Sequence, residues 1–426
     1  MTSQRLMCRV VALLGIGTCV LTAPVVASAQ GLSSRVETAT LTLPHSLETT
    51  SWNWCTWGEA CDLGPRLYHQ PRADGSLLVG WTDSSGTGHV SVVSGGALGA
   101  THDFPGTRLK GLVAHSDYGY AVLLWDSSTD MMWLSRRQAD GSQVWTTNLN
   151  SSVAVFDNEI GDSRLGFDGA TYAAYYAVHG VSDPYTGHHG DQLTLVSSNG
   201  VVEPGGWDFF GCSHPMAELV GYHPGLGQTT ALCSSDCFPQ KGLNADYNHL
   251  LVASDGDCAG RVSLQLGQMA AAESEWKVAF NALDRACCEA HGIGLATVNA
   301  SYQTSVAWLT NTDGSTERDP VLARLQDLGT TERYLVGWRT INDSVFHLGV
   351  LDGDGAFLEG PESLAGTGIG WGQRDDSFRS NPDGSVSWLH GDPSSTTLKV
   401  HRYRDGVLFS DGFESGDTSA WSATVP

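Results

Sequence analysis

The sequence is poor in charged residues and almost without lysine. Asp, Glu, Lys and Arg make up 16% of the 426 residues, against roughly 25% in an average soluble protein, and lysine occurs only four times. Coiled coils and long helical bundles need runs rich in Ala, Glu, Lys, Leu and Arg, so both classes are excluded. A disordered chain is also excluded, because 41% of the residues are apolar and can bury a core.

Positive charge is the scarcer sign. The chain has 23 Lys and Arg against 46 Asp and Glu, a formal net charge of −23. Nucleic acids and anionic lipids are bound by basic surfaces, so we expect neither as a partner. The acidic balance suits solubility outside the cell, and capture of a divalent or cationic partner is the alternative interpretation.

The sequence lacks the common catalytic motifs. It contains no H-E-x-x-H, no phosphate-binding glycine loop and no G-x-S-x-G. The nearest approach, Gly211-Cys-Ser-His-Pro215, has no closing glycine. Helical periodicity is scarce too: the best helix candidate is Ala270 to Leu283, with a loop entering a strand as the alternative. Whether the protein is an enzyme is therefore left open.

Residues 1–29 are typical of a secretory signal peptide. Arg5 and Arg9 precede a mostly apolar stretch from Val10 to Leu21, and Ala27-Ser-Ala29 is a small-residue cleavage site. Pro24 interrupts the apolar stretch too early for a membrane-spanning helix. We expect a secreted protein, extracellular, at the cell surface or in the periplasm, with no transmembrane segment in the mature chain.

Eight cysteines remain after removal of the signal peptide, an even number that predicts disulfides in an oxidising compartment. The spacing suggests Cys55–Cys61 as one local bridge. A second group, Cys212, Cys233, Cys237 and Cys258, is expected to form two pairs, whose connectivity the sequence leaves open. Cys287 and Cys288 form either a vicinal disulfide or two bridges to separate partners.

One strand pattern recurs along the chain. A short apolar strand, often with Trp or Tyr, recurs at 77–81, 121–125, 171–176, 229–233, 305–309, 334–338 and 386–389. Hairpin dipeptides such as Asp74-Gly75 and Asp383-Gly384 accompany these strands. A unit of roughly 40–50 residues with several strands is typical of a β-propeller blade.

We therefore predict an all-β fold, a β-propeller of six or seven blades, with a β-sandwich or tandem domains as the alternative. The expected organisation is a signal peptide (1–29), an N-terminal cap segment with a strand and a Trp-rich loop (30–63), the propeller (64–405) and a short C-terminal tail (406–426). The cap segment is a candidate for closing the ring by joining the last blade.

A histidine-rich region in the middle of the chain is the first candidate site. His188, His189 and Asp191 lie close together in sequence, and His214 follows Cys212. These residue types can hold a divalent metal or act as general acid and base. The alternative is that they are solvated loop residues, because their spacing matches no diagnostic ligand pattern.

A second candidate is the run Arg374-Asp375-Asp376, which could contact a sugar or a cation. An ion pair at a blade edge is the alternative. The segment Asp352-Gly-Asp-Gly355 resembles the start of a calcium loop. A hairpin turn is predicted there instead, because Ala356 stands where a third oxygen side chain belongs and Ser363 where the bidentate Glu belongs.

Three tryptophans, Trp52, Trp54 and Trp57, lie within six residues beside Cys55. Exposed indole rings held by a disulfide would form a stacking surface for sugar rings or cationic groups. The alternative is that these rings pack under the propeller.

The C-terminal segment from Asp411 to Trp421 reads D-G-F-E-S-G-D-T-S-A-W. It resembles a short C-terminal motif, D-G-F-E-S-G-D-x-S-x-W, carried by many otherwise unrelated secreted bacterial proteins. The middle of the chain, including Gly205-Gly-Trp207, is similar to propeller-like secreted proteins of environmental bacteria. The resemblance implies secretion by a bacterium and implies no reaction.

Two function classes follow from these observations. The leading hypothesis is a secreted or surface-associated binding protein, with an extracellular polysaccharide as ligand. The alternative is an extracellular hydrolase or lyase acting on a polymer, with His188, His189, Asp191 and His214 as catalytic groups and a divalent cation as cofactor. A surface protein whose partner is another protein is the third possibility.

Overall fold

The computed structural model describes residues 31–49, 52–56, 59–61, 65–156, 162–208, 211–213, 217–254, 258, 264–283, 290–310, 316–325, 332–341, 344–372 and 377–405. Within 52–56 and 59–61 only the backbone is described. The described chain holds one short 3-10 helix, Leu32–Arg35, and otherwise β-strands.

The N-terminal part forms three strands, β1 (Val36–Thr42), β2 (Trp52–Thr56) and β3 (Glu59–Cys61), of which β2 and β3 pair as a two-stranded hairpin. Blade 1 follows with β4 (Leu67–Pro71), β5 (Leu77–Thr82), β6 (Gly88–Ser94) and β7 (Ala97–Phe104). Blade 2 consists of β8 (Arg108–Ala114), β9 (Tyr120–Asp126), β10 (Met131–Arg137) and β11 (Gln143–Asn148).

Blade 3 has five strands, β12 (Ala154–Phe156), β13 (Ser163–Phe167), β14 (Thr171–Gly180), β15 (His189–Ser197) and β16 (Val202–Trp207). Both β12 and β13 pair with β14. Blade 4 contains β17 (Glu218–His223), β18 (Gln228–Ser235), β19 (Gly242–Ala245) and β20 (His249–Ala253).

Blade 5 contains β21 (Leu264–Ala271), β22 (Glu275–Leu283), β23 (His291–Asn299) and β24 (Thr304–Trp308). Blade 6 contains β25 (Glu317–Leu325), β26 (Arg333–Thr340), β27 (Phe346–Asp352) and β28 (Phe357–Ser363). Blade 7 starts with β29 (Arg379–Ser380), β30 (Val386–Gly391) and β31 (Thr397–Tyr403).

The fold is a seven-bladed β-propeller, which confirms the predicted all-β class and fixes the blade count at seven. The first strand closes the ring. β1 pairs antiparallel with β31, from Val36 opposite Tyr403 to Thr42 opposite Thr397, and so becomes the outermost strand of blade 7. The last blade is thus built from both ends of the described chain.

Six of the seven apolar segments of the sequence are second strands of blades, and these strands are mostly buried. In blades 1, 6 and 7 a tryptophan of this strand lies opposite a histidine of the third strand, and their rings are 5.2 to 5.5 Å apart. The three pairs are Trp81 with His89, Trp338 with His347 and Trp388 with His401. The recurring pair shows that the second and third strands of these three blades pack their aromatic side chains in the same way.

The Asp-Gly-Ser triplets form tight turns between strands. In the turn of blade 1, the backbone N–H and hydroxyl of Ser76 both donate to Asp74 Oδ1, at 3.0 and 2.6 Å. Gly75 has φ of +82°, which a residue with a Cβ adopts only with strain. The Asp352 segment is also a hairpin turn, as predicted, and Asp352 Oδ1 accepts the N–H of Ala356 at 2.8 Å.

Two sequence expectations are corrected in blade 5. Ala270 to Leu283 is not a helix: it covers the end of β21, a turn and all of β22, which agrees with the alternative of a loop entering a strand. The alternating burial along β21 is the period of a strand with one face in the core. Residues 305–309 begin in β24, the outermost strand, and β22 is the second strand of this blade. This displacement explains the irregular spacing of the repeat there.

Among the described residues, no helix is both long and apolar enough to cross a membrane.

Candidate functional site

The seven innermost strands surround a central channel. These strands are β4, β8, β13, β17, β21, β25 and β29, and each pairs with the second strand of its own blade. No further strand of the described chain pairs with their other edge. Their backbone N–H and C=O groups on that edge therefore turn toward the channel, where they can bond water or a polar ligand.

Three of the inner strands are interrupted by irregular pairing. The register shifts at Lys110 in β8, at Gly267 and Gln268 in β21, and at Asp319 and Pro320 in β25. A bulge bends its strand and redirects the extra side chain. The bulged residues Lys110, Gln268 and Asp319 are nearly fully buried, and Gln268 lines the channel.

The channel is filled by charged side chains where the inner strands begin. Arg66, just before β4, contacts Asp162, just before β13, with 3.1 Å between Nη1 and Oδ1. Arg164 binds the other oxygen of Asp162 at 2.6 Å. The carboxylate of Glu218, at the start of β17, accepts the backbone N–H of Asp162 at 2.6 Å. This charged network connects blades 1, 3 and 4, and its four side chains are at most 4% exposed.

Lys110 is buried beside this network. Its ammonium lies 5.0 Å from the ring centre of Trp125 and 5.4 Å from that of Phe156, within the range of cation–π contacts. Burial, with a further contribution from Arg66, lowers the pKa of Lys110 well below its usual value. Glu48 and Asp162 oppose the shift.

Gln268 connects blade 5 to blade 7. Its amide oxygen accepts the backbone N–H of Phe378 at 3.1 Å, and its amide nitrogen donates to the carbonyl of the same residue. The amide oxygen also accepts the N–H of Leu322 in β25 at 3.4 Å. A single amide side chain therefore satisfies buried backbone groups of two other blades.

The other half of the channel is an open cavity of about 820 Å³. All seven inner strands contribute to its wall. Half-buried or exposed residues that line it include Gln70, Phe167, Tyr222, Met269, Arg324 and Arg379. A pocket of this size can enclose most of a drug-sized ligand.

The cavity wall carries hydrogen-bonding groups beside apolar surface. Gln70 donates one amide N–H to the carbonyl of Leu112 at 3.0 Å. The hydroxyl of Tyr222 makes no hydrogen bond to the part of the chain that the structure describes. Arg324 is paired with Glu332 at 3.1 Å. None of the described residues that line the cavity is Asp, Glu, His or Cys.

The histidine-rich candidate site lies elsewhere, in blade 3. His188 is exposed in the turn before β15, and the ring of His189 stacks on His179 at 4.8 Å. Asp191 also belongs to β15 but is fully buried. No hydrogen bond among the described residues joins either histidine to Asp191. His214 lies outside the described residues.

Asp191 is held by four donors. The Tyr175 hydroxyl donates to one carboxylate oxygen, and the indole N–H of Trp207 donates to the other at 2.8 Å. The backbone N–H groups of Gly211 and Cys212 also bond this carboxylate. Burial raises the pKa of Asp191 to about 6, although the hydrogen bonds oppose the shift. Asp191 thereby fixes the segment that leads from blade 3 to blade 4.

Two disulfides are present in the described chain, Cys212–Cys233 and Cys237–Cys258, with Cα separations of 6.5 and 4.5 Å. This confirms two pairs among the four central cysteines. Asp191 lies close enough to Cys212 and Cys233 for the three to hold a metal ion geometrically. With the two sulfurs bonded to each other, they do not offer the thiolates that zinc binds.

The structure describes only part of the tryptophan hairpin, and it does not describe the Arg374–Asp376 run or the Cys287–Cys288 pair. Trp52 and Trp54 belong to β2, of which only the backbone is described, and Trp57 lies outside the described residues. Also outside the described residues are Arg374, Asp375, Asp376, Cys287 and Cys288. The bridge Cys55–Cys61 likewise concerns side chains that are not described.

The channel residues were not identified from the sequence. Gln70, Tyr222, Arg324 and Arg379 each lie on the strand before an apolar strand of the repeat. That position was the available signal, because in a propeller the strand before the buried second strand borders the channel. No local sequence pattern indicated that Arg66 and Asp162 form a pair, since they are almost a hundred residues apart.

No protein-family model matches this chain, and no curated protein matches it.

Proposed function

We propose that the protein is a secreted or surface-associated binding protein whose ligand, an extracellular carbohydrate, enters the channel cavity. The observation that carries the proposal is the cavity itself. Seven blades converge on a space of about 820 Å³ and give it both polar groups and apolar surface. Sugars present the same combination, with hydroxyl groups around the ring and C–H groups on its faces.

The wall matches this chemistry. Tyr222 offers an aromatic ring and a hydroxyl with no partner in the described chain, and the amide oxygen of Gln70 accepts no hydrogen bond from the described residues. Phe167 and Met269 add apolar surface. The free edges of the inner strands add backbone donors and acceptors. The channel is already filled at its other end by the charged network, so the cavity is a pocket on a rigid base.

Secretion is part of the proposal. The signal-like N-terminus, the resemblance of the C-terminal tail to secreted bacterial proteins and the two disulfides all support an oxidising extracellular compartment.

The full chain should be tested against a panel of extracellular polysaccharides, with and without chelator. Retention on the polymer and release of soluble sugar are measured together. We expect retention without product, and Tyr222→Ala should weaken it at least about tenfold. Tyr118→Ala is the control, because Tyr118 is 44% exposed and does not line the cavity. Equal retention by the two variants would contradict the channel site.

The alternative function, a polymer hydrolase or lyase, is tested by the same panel. Glycosidases use a pair of carboxylates, and the described cavity wall has none. Release of sugar that stops on addition of chelator would favour the enzyme and direct attention to His188, His189 and His214.

A further inference from the structure

A second cavity lies where blades 2 and 3 meet. It has a volume of about 440 Å³ and shares Ala114 and Phe167 with the wall of the channel cavity. Ala114 ends the inner strand of blade 2, and Phe167 ends that of blade 3. The two spaces therefore adjoin at the same end of the channel. We call the second one the seam cavity.

The seam cavity has an aromatic wall that continues from the channel. Phe167 stacks on Tyr172 with ring centres 4.4 Å apart, and His115 lies 4.5 Å from Phe167. His115 Nε2 and the Tyr172 hydroxyl are 2.8 Å apart, in hydrogen-bond contact. One phenylalanine ring thus belongs to both cavities, and a chain of rings leads outward from it.

The seam cavity is close to electrically neutral. Arg136 lines it, and Asp117 accepts two hydrogen bonds from this guanidinium at 2.8 and 2.7 Å. Burial lowers the pKa of His115 to about 4, so its imidazole is uncharged at neutral pH. Aromatic rings beside the hydroxyl groups of Ser116 and Ser198, with no net charge, suit an uncharged sugar unit.

We propose that the seam cavity is a second subsite, so that the ligand is a linear, uncharged oligosaccharide that extends from the channel into the contact between blades 2 and 3. This inference rests on the proposed function and specifies its ligand. A monosaccharide would occupy the channel cavity alone. A longer chain would pass Phe167 and place a further unit against His115 and Tyr172.

Ser198 provides a way to block only the seam. It is exposed, lines the seam cavity and does not line the channel cavity. Its N–H donates to the carbonyl of Ala170 at 2.8 Å, and its own carbonyl accepts the Trp145 indole N–H at 3.0 Å. Both hydrogen bonds use backbone atoms of Ser198, so Ser198→Trp adds a bulky side chain and keeps both bonds. Ser94→Trp is the matched control, since Ser94 is exposed at the end of β6, the strand of blade 1 that corresponds to β15.

The test is titration calorimetry of the full chain with cello-, xylo- and chito-oligosaccharides of two to six units. For the oligosaccharide series that binds, we expect affinity to rise at least about tenfold between the disaccharide and the hexasaccharide. Ser198→Trp should lose this gain and keep the affinity for the disaccharide, while Ser94→Trp should behave like the original protein.

A gain with length that persists in Ser198→Trp overturns the seam subsite and leaves the channel site standing. Affinity that does not change with the length of the oligosaccharide also overturns the seam subsite and leaves the channel site standing. If no oligosaccharide of any length binds, the proposed function itself fails.

Discussion

Arg66 and Asp162 form an ion pair at 3.1 Å between blades 1 and 3, past the inner strand of the blade between them. Both side chains are nearly fully buried. Asp162 also binds Arg164, so one carboxylate compensates two guanidinium groups. The contact joins non-adjacent blades and forms the base of the channel cavity.

Removing the Asp162 charge should destabilise the propeller strongly. Asp162→Asn keeps the shape but leaves Arg66 and Arg164 buried without this carboxylate, and breaking a buried pair in this way costs roughly 3–5 kcal/mol. Chemical denaturation of the variant measures the loss. Glu37→Gln is the control, because the Glu37–Arg404 pair is exposed and should contribute under about 1 kcal/mol. Equal losses in the two variants would show that the buried network contributes little to stability.

Gln268 should matter through the backbone groups that it satisfies. Gln268→Met keeps the length of the side chain but leaves the buried N–H and C=O of Phe378 without their amide partner. We expect a loss of roughly 1–3 kcal/mol in the free energy of unfolding. Gln143→Met, on the exposed outer strand of blade 2, should change stability by much less. Similar values for both would contradict the role of Gln268 between blades 5 and 7.

Closure of the ring by β1 can be tested by supplying that strand separately. A chain lacking residues 31–42 should have a lower melting temperature, because blade 7 loses its outermost strand. A peptide of residues 31–43 should restore part of the loss by adding a strand to the free edge of β31. A peptide of the same composition in scrambled order is the control, and equal restoration by both peptides would argue against specific pairing.

Asp191 predicts a definite pH dependence of stability. Its pKa of about 6 lies above the ordinary value of 3.8, so between about pH 4 and 6 the folded state holds a proton that the unfolded state has lost. The contribution of Asp191 to stability must therefore fall as pH rises through this window, by roughly 3 kcal/mol in total, and level off above it.

Asp191→Asn should remove this fall, so the difference in unfolding free energy between the two proteins should change with pH between 4 and 6. Asp354→Asn is the control, since Asp354 is exposed in a hairpin turn. A difference that is constant with pH in both variants would show that Asp191 does not titrate in this window.

The sequence predicted the propeller because the fold repeats a local pattern. Six of the seven apolar segments are second strands of blades, including the segments that contain Trp81, Trp338 and Trp388. The Asp-Gly-Ser turns are equally local, since a side chain two residues away closes them. Blade 5 was misassigned because its second strand, which contains Trp276, follows an alanine- and glutamate-rich turn that resembles the start of a helix.

The channel could not be predicted in the same way. Its wall takes one short segment from each blade, so Gln70 and Tyr222 become neighbours of one cavity only through the closure of the whole ring. The burial of Lys110 depends on a bulge in β8, and no residue in the sequence of that strand predicts the bulge. The sequence grouped Asp191 with nearby histidines by chain distance, whereas the strand turns its carboxylate inward to Tyr175 and Trp207.

The central claim, that the ligand occupies the channel cavity, is tested most directly by hydrogen exchange on the full chain. Exchange of the backbone amides is compared with and without the hexasaccharide that binds best. We predict slower exchange in Leu67–Pro71, Glu218–His223 and Leu264–Ala271, whose free edges face the channel. Protection confined to residues 52–61, or to residues 179–191, would contradict the channel site and support the tryptophan hairpin or the histidine-rich segment instead.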